Sequence, residues 1–292
     1  MSKATYRTSP TKSKRRTKND IEQLKLAIYE VVKQHKPMTV RQVFYQLVSR
    51  GAIAKSENEY KSTVCRLLVD MRRDGTIPFD WIADNTRWMR KPRTYHSLQG
   101  MLELTHETYR RSLWDNQDCY VEIWLEKDAL AGVLTPITGQ WDVPLMVTRG
   151  YPSVSYVYEA AIAMQAQQKP AYLYYFGDHD PSGVDINRFV EKQIREIAPD
   201  VELHFERVAV NPWQIIDMKL PTRPTKKTDS RSKGFVGESV EVDAINPDVL
   251  RELCEGCITQ HVDGYALQRM EQVEAAERET LATMIESMEG EL

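Results

Sequence analysis

Residues 171–176 read Ala-Tyr-Leu-Tyr-Tyr-Phe, and the chain then breaks at once into Gly177-Asp-His-Asp-Pro-Ser-Gly183. A nearly continuous apolar run of this length marks a strand buried on both faces, which means a parallel sheet covered by helices. The neighbouring segments agree. Residues 120–126 alternate, with Val121, Ile123 and Leu125 on one face, and end in Glu126. A helical stretch follows through Leu130, Val133 and Leu134, then a short strand at 144–148 and a helix through Val157 to Gln167. After the apolar run come a helix from Val184 and a strand around 201–210. Strands alternating with helices predict a Rossmann-like α/β layer with a parallel sheet.

Such a layer binds ligands at the carboxyl ends of its strands. Glu126 ends the first strand, and Asp178 and Asp180 follow the third. In an extended segment residues two apart project to the same side, so both aspartates can converge. Gly177 and Gly183 permit tight turns, and Pro181 stiffens them. Three carboxylates in a strand crevice suit Mg²⁺, a hard cation that takes oxygen ligands. The competing reading is an acidic turn whose aspartates cap a helix.

The preceding part of the chain is of the opposite charge. Residues 1–112 hold 23 Lys+Arg and 11 Asp+Glu, a balance of +12, and residues 113–292 hold 16 and 31, a balance of −15. A +12 half points to a polyanion such as nucleic acid. Residues 1–19 are Ser/Thr/Lys/Arg-rich without apolar periodicity and predict a basic, disordered arm. Three helical segments follow. Ile21, Leu24, Ile28, Val31 and Val32 mark the first, which Pro37 ends. Thr39 is the N-cap of a second with Val40, Val43, Phe44, Leu47 and Val48, closed by Gly51. Ser56 and Glu59 form a capping box for a third, with Tyr60, Val64, Leu67, Leu68 and Met71, which stops at Gly75. Residues 76–82 suit a strand or wing. Three short helices and a wing predict a winged helix-turn-helix over residues 20–112, with Lys61, Arg66, Arg72 and Arg73 of the third helix reading DNA. A protein-binding winged helix is the alternative. Arg87, Arg90, Lys91, Arg93, Arg110 and Arg111 extend the basic surface across the connection to residues 113–292.

At ~100° per residue Tyr45 points ~130° from the apolar face of the second helix, toward solvent or a ligand and beside Arg41. An exposed tyrosine on such a surface either hydrogen-bonds a phosphate or attacks one. As a nucleophile its phenol, of ordinary pKa about 10, needs a metal or nearby cation to activate it.

Taken together, Glu126-Lys127 at a strand end and Gly177-Asp-His-Asp-Pro-Ser-Gly-Val-Asp-Ile186 resemble a Toprim domain. The form is that of the type IIB DNA topoisomerase A subunit and the meiotic double-strand-break transesterase. That family carries its catalytic tyrosine on an N-terminal winged helix in an Arg-x-x-(Tyr/Phe)-Tyr motif, and Arg41-Gln-Val-Phe-Tyr45 matches it. The Gly150-Tyr151-Pro152 turn is also similar. The resemblance spans about residues 20–260 and implies a homodimer that cleaves and rejoins double-stranded DNA through a 5′-phosphotyrosyl link. Tyr45 of one subunit would serve the Mg²⁺ site of Glu126, Asp178 and Asp180 in the other, with Arg41 steering the phosphate or favouring the phenolate. The chain is shorter than a usual A subunit and resembles the "mini-A" versions. It carries no candidate ATPase module, which in the family belongs to a separate B-type subunit. A metal-dependent nuclease in which water attacks, and a non-catalytic DNA-binding protein, are the alternatives.

Other signals are weaker. Cys254, Cys257 and His261 imitate half a zinc site, but no second ligand pair is spaced to complete it, and core packing is the reading. Residues 221–234 form a basic island with Arg223, Lys226, Lys227, Arg231 and Lys233, read as a loop that either contacts DNA or is merely solvated. Glu241 and Asp243 behind it read as an exposed strand edge rather than extra ligands. Leu267, Met270, Val273, Leu281, Met284 and Met288 lie near one stripe of a last helix, which packs on the parent domain or makes a coiled-coil contact. Four cysteines in 292 residues are no disulfide scaffold, and no run is long and apolar enough for a membrane. These predict a reduced, cytoplasmic, nucleoid-associated protein.

Overall fold

The structure, a computed structural model, describes residues 16–83, 92–225, 235 and 237–289. Arg87, Arg90 and Lys91 of the connection, and Lys226, Lys227, Arg231 and Lys233 of the basic island, lie outside the described residues.

The amino-terminal part is three helices around one core. α1 (Lys18–His35) starts inside the segment expected as an arm, because Thr17 and Asp20 cap it reciprocally. α2 (Val40–Ser49) begins at the Thr39–Gln42 capping box. The third helix opens as a π-helical run, Glu59–Cys65, and continues as α3 (Arg66–Arg73). Leu24, Ile28 and Val32 of α1 pack with Val43 and Leu47 of α2 and with Leu67 and Met71 of α3. Gly51 and Gly75 end the second and third helices at φ +69° and +80°, which favours glycine. No wing strand forms between residues 76 and 82. Pro78 removes a donor, residues Phe79–Trp81 make a 3₁₀ turn, and only Ile82 bridges, to Met38.

The second part is helix-rich with a four-stranded parallel sheet of order β2-β1-β3-β4, formed by β1 (Tyr120–Leu125), β2 (Leu145–Val147), β3 (Ala171–Phe176) and β4 (Leu203–Ala209). α4 (Leu98–Thr108) leads into it. α5 (Ala131–Gln140) and α9 (Pro247–Thr259) cover the face carrying Val121, Ile123 and Leu125. α6 (Val154–Gln167) and α7 (Pro181–Ile197) cover the opposite face, on Trp124, Leu173 and Tyr175. α8 (Pro212–Asp217) follows β4. Burial on both faces is why the 171–176 run carries no alternation. Cys254 and Cys257 are core residues of α9, as the sequence reading has it, and His261 pairs with the Tyr174 hydroxyl at 2.6 Å. α10 (Gly264–Glu289) packs along α4, where Arg111 and the Tyr109 hydroxyl meet Glu277 at 2.6 and 2.7 Å. Met270 of its stripe is buried, while Val273 and Met284 are exposed. Among the described residues no helix is long and apolar enough to cross a membrane.

The same apolar core runs from α1 to α9, so the two parts are docked rather than merely linked. Arg251 of α9 donates to the carbonyls of His35 and Pro37, and His35 meets Asp248 at 2.5 Å.

One core group titrates near neutrality. Glu122 is 2% exposed and accepts from Trp124 Nε1–H at 2.6 Å and the Tyr120 hydroxyl at 2.8 Å. Burial outweighs these bonds and pushes its carboxyl up to about 7. The folded state therefore keeps a proton that the unfolded chain releases near pH 4.5. Its contribution is complete at pH 4 and is lost as pH rises toward 7. Glu122→Gln, which can offer its carbonyl to Trp124 and its amide to the Tyr120 oxygen, removes that slope. The variant is expected to gain roughly 2–3 kcal/mol over the parent between pH 5 and pH 8 in urea titrations. Parallel pH profiles for the two proteins would refute this account.

Candidate active site at the carboxyl ends of the strands

After β1 the chain moves outward to β2, and it returns to the other side of β1 for β3. That reversal opens a crevice between the ends of β1 and β3. Glu126 leaves β1 there, its N–H bonded to the Phe176 carbonyl at 2.9 Å. Its Oε2 accepts the Asp178 N–H at 2.9 Å. The glycines around it are required by contact. A Cβ on Gly177 would lie 2.6 Å from Glu126 Oε2, and one on Gly183 would collide with the Asp178 carbonyl oxygen. Half-buried Arg207, from β4, braces the loop from behind. Its guanidinium donates to the carbonyls of Gly177 at 3.1 Å, Gly183 at 3.3 Å, Val210 at 3.2 Å and Asp178.

The two aspartates diverge more than the two-residue spacing predicts. Asp178 Oδ1 accepts the Val242 N–H at 2.9 Å and meets Lys127 Nζ at 3.1 Å. Asp180 is the N-cap of α7, accepting from the Gly183 N–H at 2.8 Å, and its other oxygen faces Arg223 at 3.4 Å. The helix-capping reading thus holds for Asp180, because Pro181 at the first helical position starts α7 immediately after it. Glu126 is the carboxylate between them. Burial raises its pKa first, and the Asp178 charge raises it further. Burial likewise raises Asp178, against the pull of Lys127.

A second acidic pair completes the site, and here the sequence reading is corrected. Glu241 and Asp243 are not an exposed edge; they are 7% and 1% exposed. Lys127 makes that burial tolerable, with Nζ at 3.1 Å from Glu241 and 2.7 Å from Asp243. Burial opposes ionisation of Glu241, but Lys127, Arg41 and Arg223 together hold its carboxyl below the ordinary range. Burial pulls the Lys127 ammonium down, yet Asp243, Asp178 and Glu241 raise it above its usual value. In the sequence Lys127 stands directly after a strand-end glutamate, and that adjacency is the one signal of its place here.

The helix carrying Tyr45 docks on this pair. Thr39, the cap of α2, lies 3.3 Å from Asp243, and Arg41 lies 3.4 Å from Glu241 and over the Tyr60 ring. Between α2 and the strand ends runs a cleft of about 660 Å³, lined among others by Arg41, Arg72, Glu126, Lys127, Arg149 and Asp178. Arg149 was not foreseen; it pairs with Asp128 at 3.1 Å. Arg72 is the member of the expected DNA-reading set that faces this cleft. Lys61 and Arg66 pair with Glu57 and Asp70 along their own helix, and Arg73 is exposed.

Tyr45 departs from expectation most. It is 3% exposed rather than solvent-facing, packed on Phe44 with ring centroids 5.3 Å apart and with Lys55 over its ring. Burial and then the Glu241 carboxylate push its phenol up to about 12, against Arg41 and Lys127. Tyr45 is not among the residues lining the cleft.

Glu126, Asp178 and Asp180 offer the hard oxygen donors that Mg²⁺ takes. Among the described residues no three acidic, His or Cys side chains already form a metal-binding group, so a bound ion requires Asp180 or Asp178 to turn from its present partner. No known family model matches this chain, and no curated protein matches it.

Proposed function

We propose that this protein is a Mg²⁺-dependent DNA transesterase, built from a winged-helix-like part and a Toprim-like α/β part. The observation that carries the reading is the docking of α2, with Tyr45 and Arg41, onto the acidic cluster that flanks Glu126 and Asp178. A phosphodiester exchange needs a nucleophile, cations for the phosphate and carboxylates for a metal; the cleft supplies the last two, and the helix that lines it with Arg41 also carries Tyr45.

The basic α3 side and Arg72 bind the DNA backbone, so binding is electrostatic. Arg41 and Arg149 line the cleft and orient the phosphate. Tyr45 oxygen forms a bond to phosphorus and gives its proton to water, the bond from phosphorus to the 3′ oxygen breaks, and the departing 3′ oxygen takes up a proton from water. Glu126, Asp178 and Asp180 would hold Mg²⁺, which when bound would neutralise charge at the phosphate. The resemblance implies that Tyr45 reaches the site of a second copy in a homodimer, for which α2 must expose it.

A second reading is favoured by the burial of Tyr45 and its raised pKa: water attacks, and the protein is a nuclease. Incubation of supercoiled DNA with the full chain and Mg²⁺, followed by detergent, separates the two. Protein-linked DNA ends are expected. Free 5′-phosphate ends without adduct would transfer the proposal to the nuclease, and Mg²⁺-independent binding without cleavage would defeat both.

A further inference from the structure

We propose that Lys127 is the resident second cation of this site. Its ammonium holds the position bridging Asp178, Glu241 and Asp243, so the chain takes up a single divalent ion, on the Glu126 side of Asp178. The inference rests on the metal reading above and refines it.

The geometry begins with the strand. Glu126 and Lys127 are consecutive, and Lys127 is extended at φ −105°, ψ 115°. Consecutive residues in extended chain project to opposite sides. Glu126 turns to the Asp178 N–H, and Lys127 turns to Glu241 and Asp243. Asp178 stands between, giving its N–H to one and its Oδ1 to the other. An ammonium has three N–H donors, and here three carboxylates lie within 3.1 Å of it. Two of those contacts are hydrogen bonds, to Glu241 and Asp243, and the third is an ion pair with Asp178.

Five carboxylates gather here: Glu126, Asp178, Asp180, Glu241 and Asp243. Lys127, Arg41 and Arg223 pair with them, and Arg207 stands behind the Asp178 backbone. Asp243 is 1% exposed, so its charge persists only beside a permanent partner. A tethered ammonium is such a partner, whereas a metal ion exchanges with solvent. Lys127 and Arg41 share Glu241 Oε2, at 3.1 and 3.4 Å, so the second position lies next to the helix that bears Tyr45.

The test is a count of ions. The full chain is titrated with Mn²⁺ in the absence of DNA, and free ion is followed by electron paramagnetic resonance. The wild-type chain is expected to bind one ion, and Lys127→Met two, because the vacated position becomes a carboxylate cage. Lys127→Arg, which keeps the charge, is expected to remain at one. Two ions on the wild type, or one on a folded Lys127→Met, overturns the inference. If Lys127→Met does not fold, the wild-type and Lys127→Arg counts still decide, and two ions on either overturns it. No ion on the wild type defeats the metal reading itself, and this inference with it, which is a different result from a count of two.

Discussion

Tyr45→Phe is expected to abolish protein-linked DNA while leaving the protein folded and able to bind DNA. The substitution removes one oxygen. The ring keeps its packing on Phe44 and its place under Lys55, so stability changes by no more than about 1 kcal/mol. The chemical effect is far larger, because the one other hydroxyl of α2, Ser49, is engaged with the Tyr45 carbonyl at 2.9 Å and does not stand in for the phenol. Adduct should fall to background in a detergent-quenched gel. Adducts that persist in Tyr45→Phe would remove Tyr45 from the mechanism. Cleavage that persists without adduct, in both parent and variant, would assign the attack to water. The buried setting adds a condition. With its pKa near 12, the hydroxyl stays protonated at neutral pH in the docked arrangement. Productive attack therefore requires α2 to present Tyr45 in another environment.

The second large effect is structural. Arg207→Met is expected to destabilise the fold by about 2 kcal/mol, read as a fall in the urea midpoint, since the Gly177 carbonyl keeps the Val210 N–H and each carbonyl that does lose its donor costs roughly 1 kcal/mol. Four carbonyls, of Gly177, Asp178, Gly183 and Val210, share that guanidinium. Arg207→Lys should recover only part of the loss, because an ammonium cannot fork across carbonyls from two segments. If Arg207→Met unfolds at the parent midpoint, Arg207 is not the brace of the carboxylate loop.

The parts of the fold set by local pattern were legible. β3 was marked by its unbroken apolar run, β1 by its alternation, and α2 by a capping box that both Thr39 and Gln42 complete. The loop between Gly177 and Gly183 was legible for the same reason, since its glycines and proline have conformational meaning wherever they stand. The wing was not. Residues 76–82 have strand-like composition, but a strand needs a neighbour to bond with, and Pro78 and the turn at Phe79–Trp81 leave only one bridge.

Tyr45 shows where helical projection stops. The projection identifies one apolar face of α2, and Val43, Phe44 and Leu47 are buried there as read. It assigns the opposite face to solvent. In the structure that face is covered by the turn at 242–244, so Gln42 and Gln46 are buried as well as Tyr45. Glu241 and Asp243 were misjudged on the same ground. Carboxylates are read as exposed because burying them uncompensated is costly, and the compensating ammonium sits 114 and 116 residues away at Lys127. The sequence by itself therefore determined the parallel α/β layer, the helical amino-terminal part and the carboxylates at the strand ends, since these follow from periodicity and local backbone chemistry. Only the tertiary structure decided that Tyr45 is enclosed, that Lys127 stands among three carboxylates and that α2 leans on an acidic turn. Those outcomes depend on charges and surfaces from distant segments meeting in a low-dielectric interior, and no local pattern encodes them.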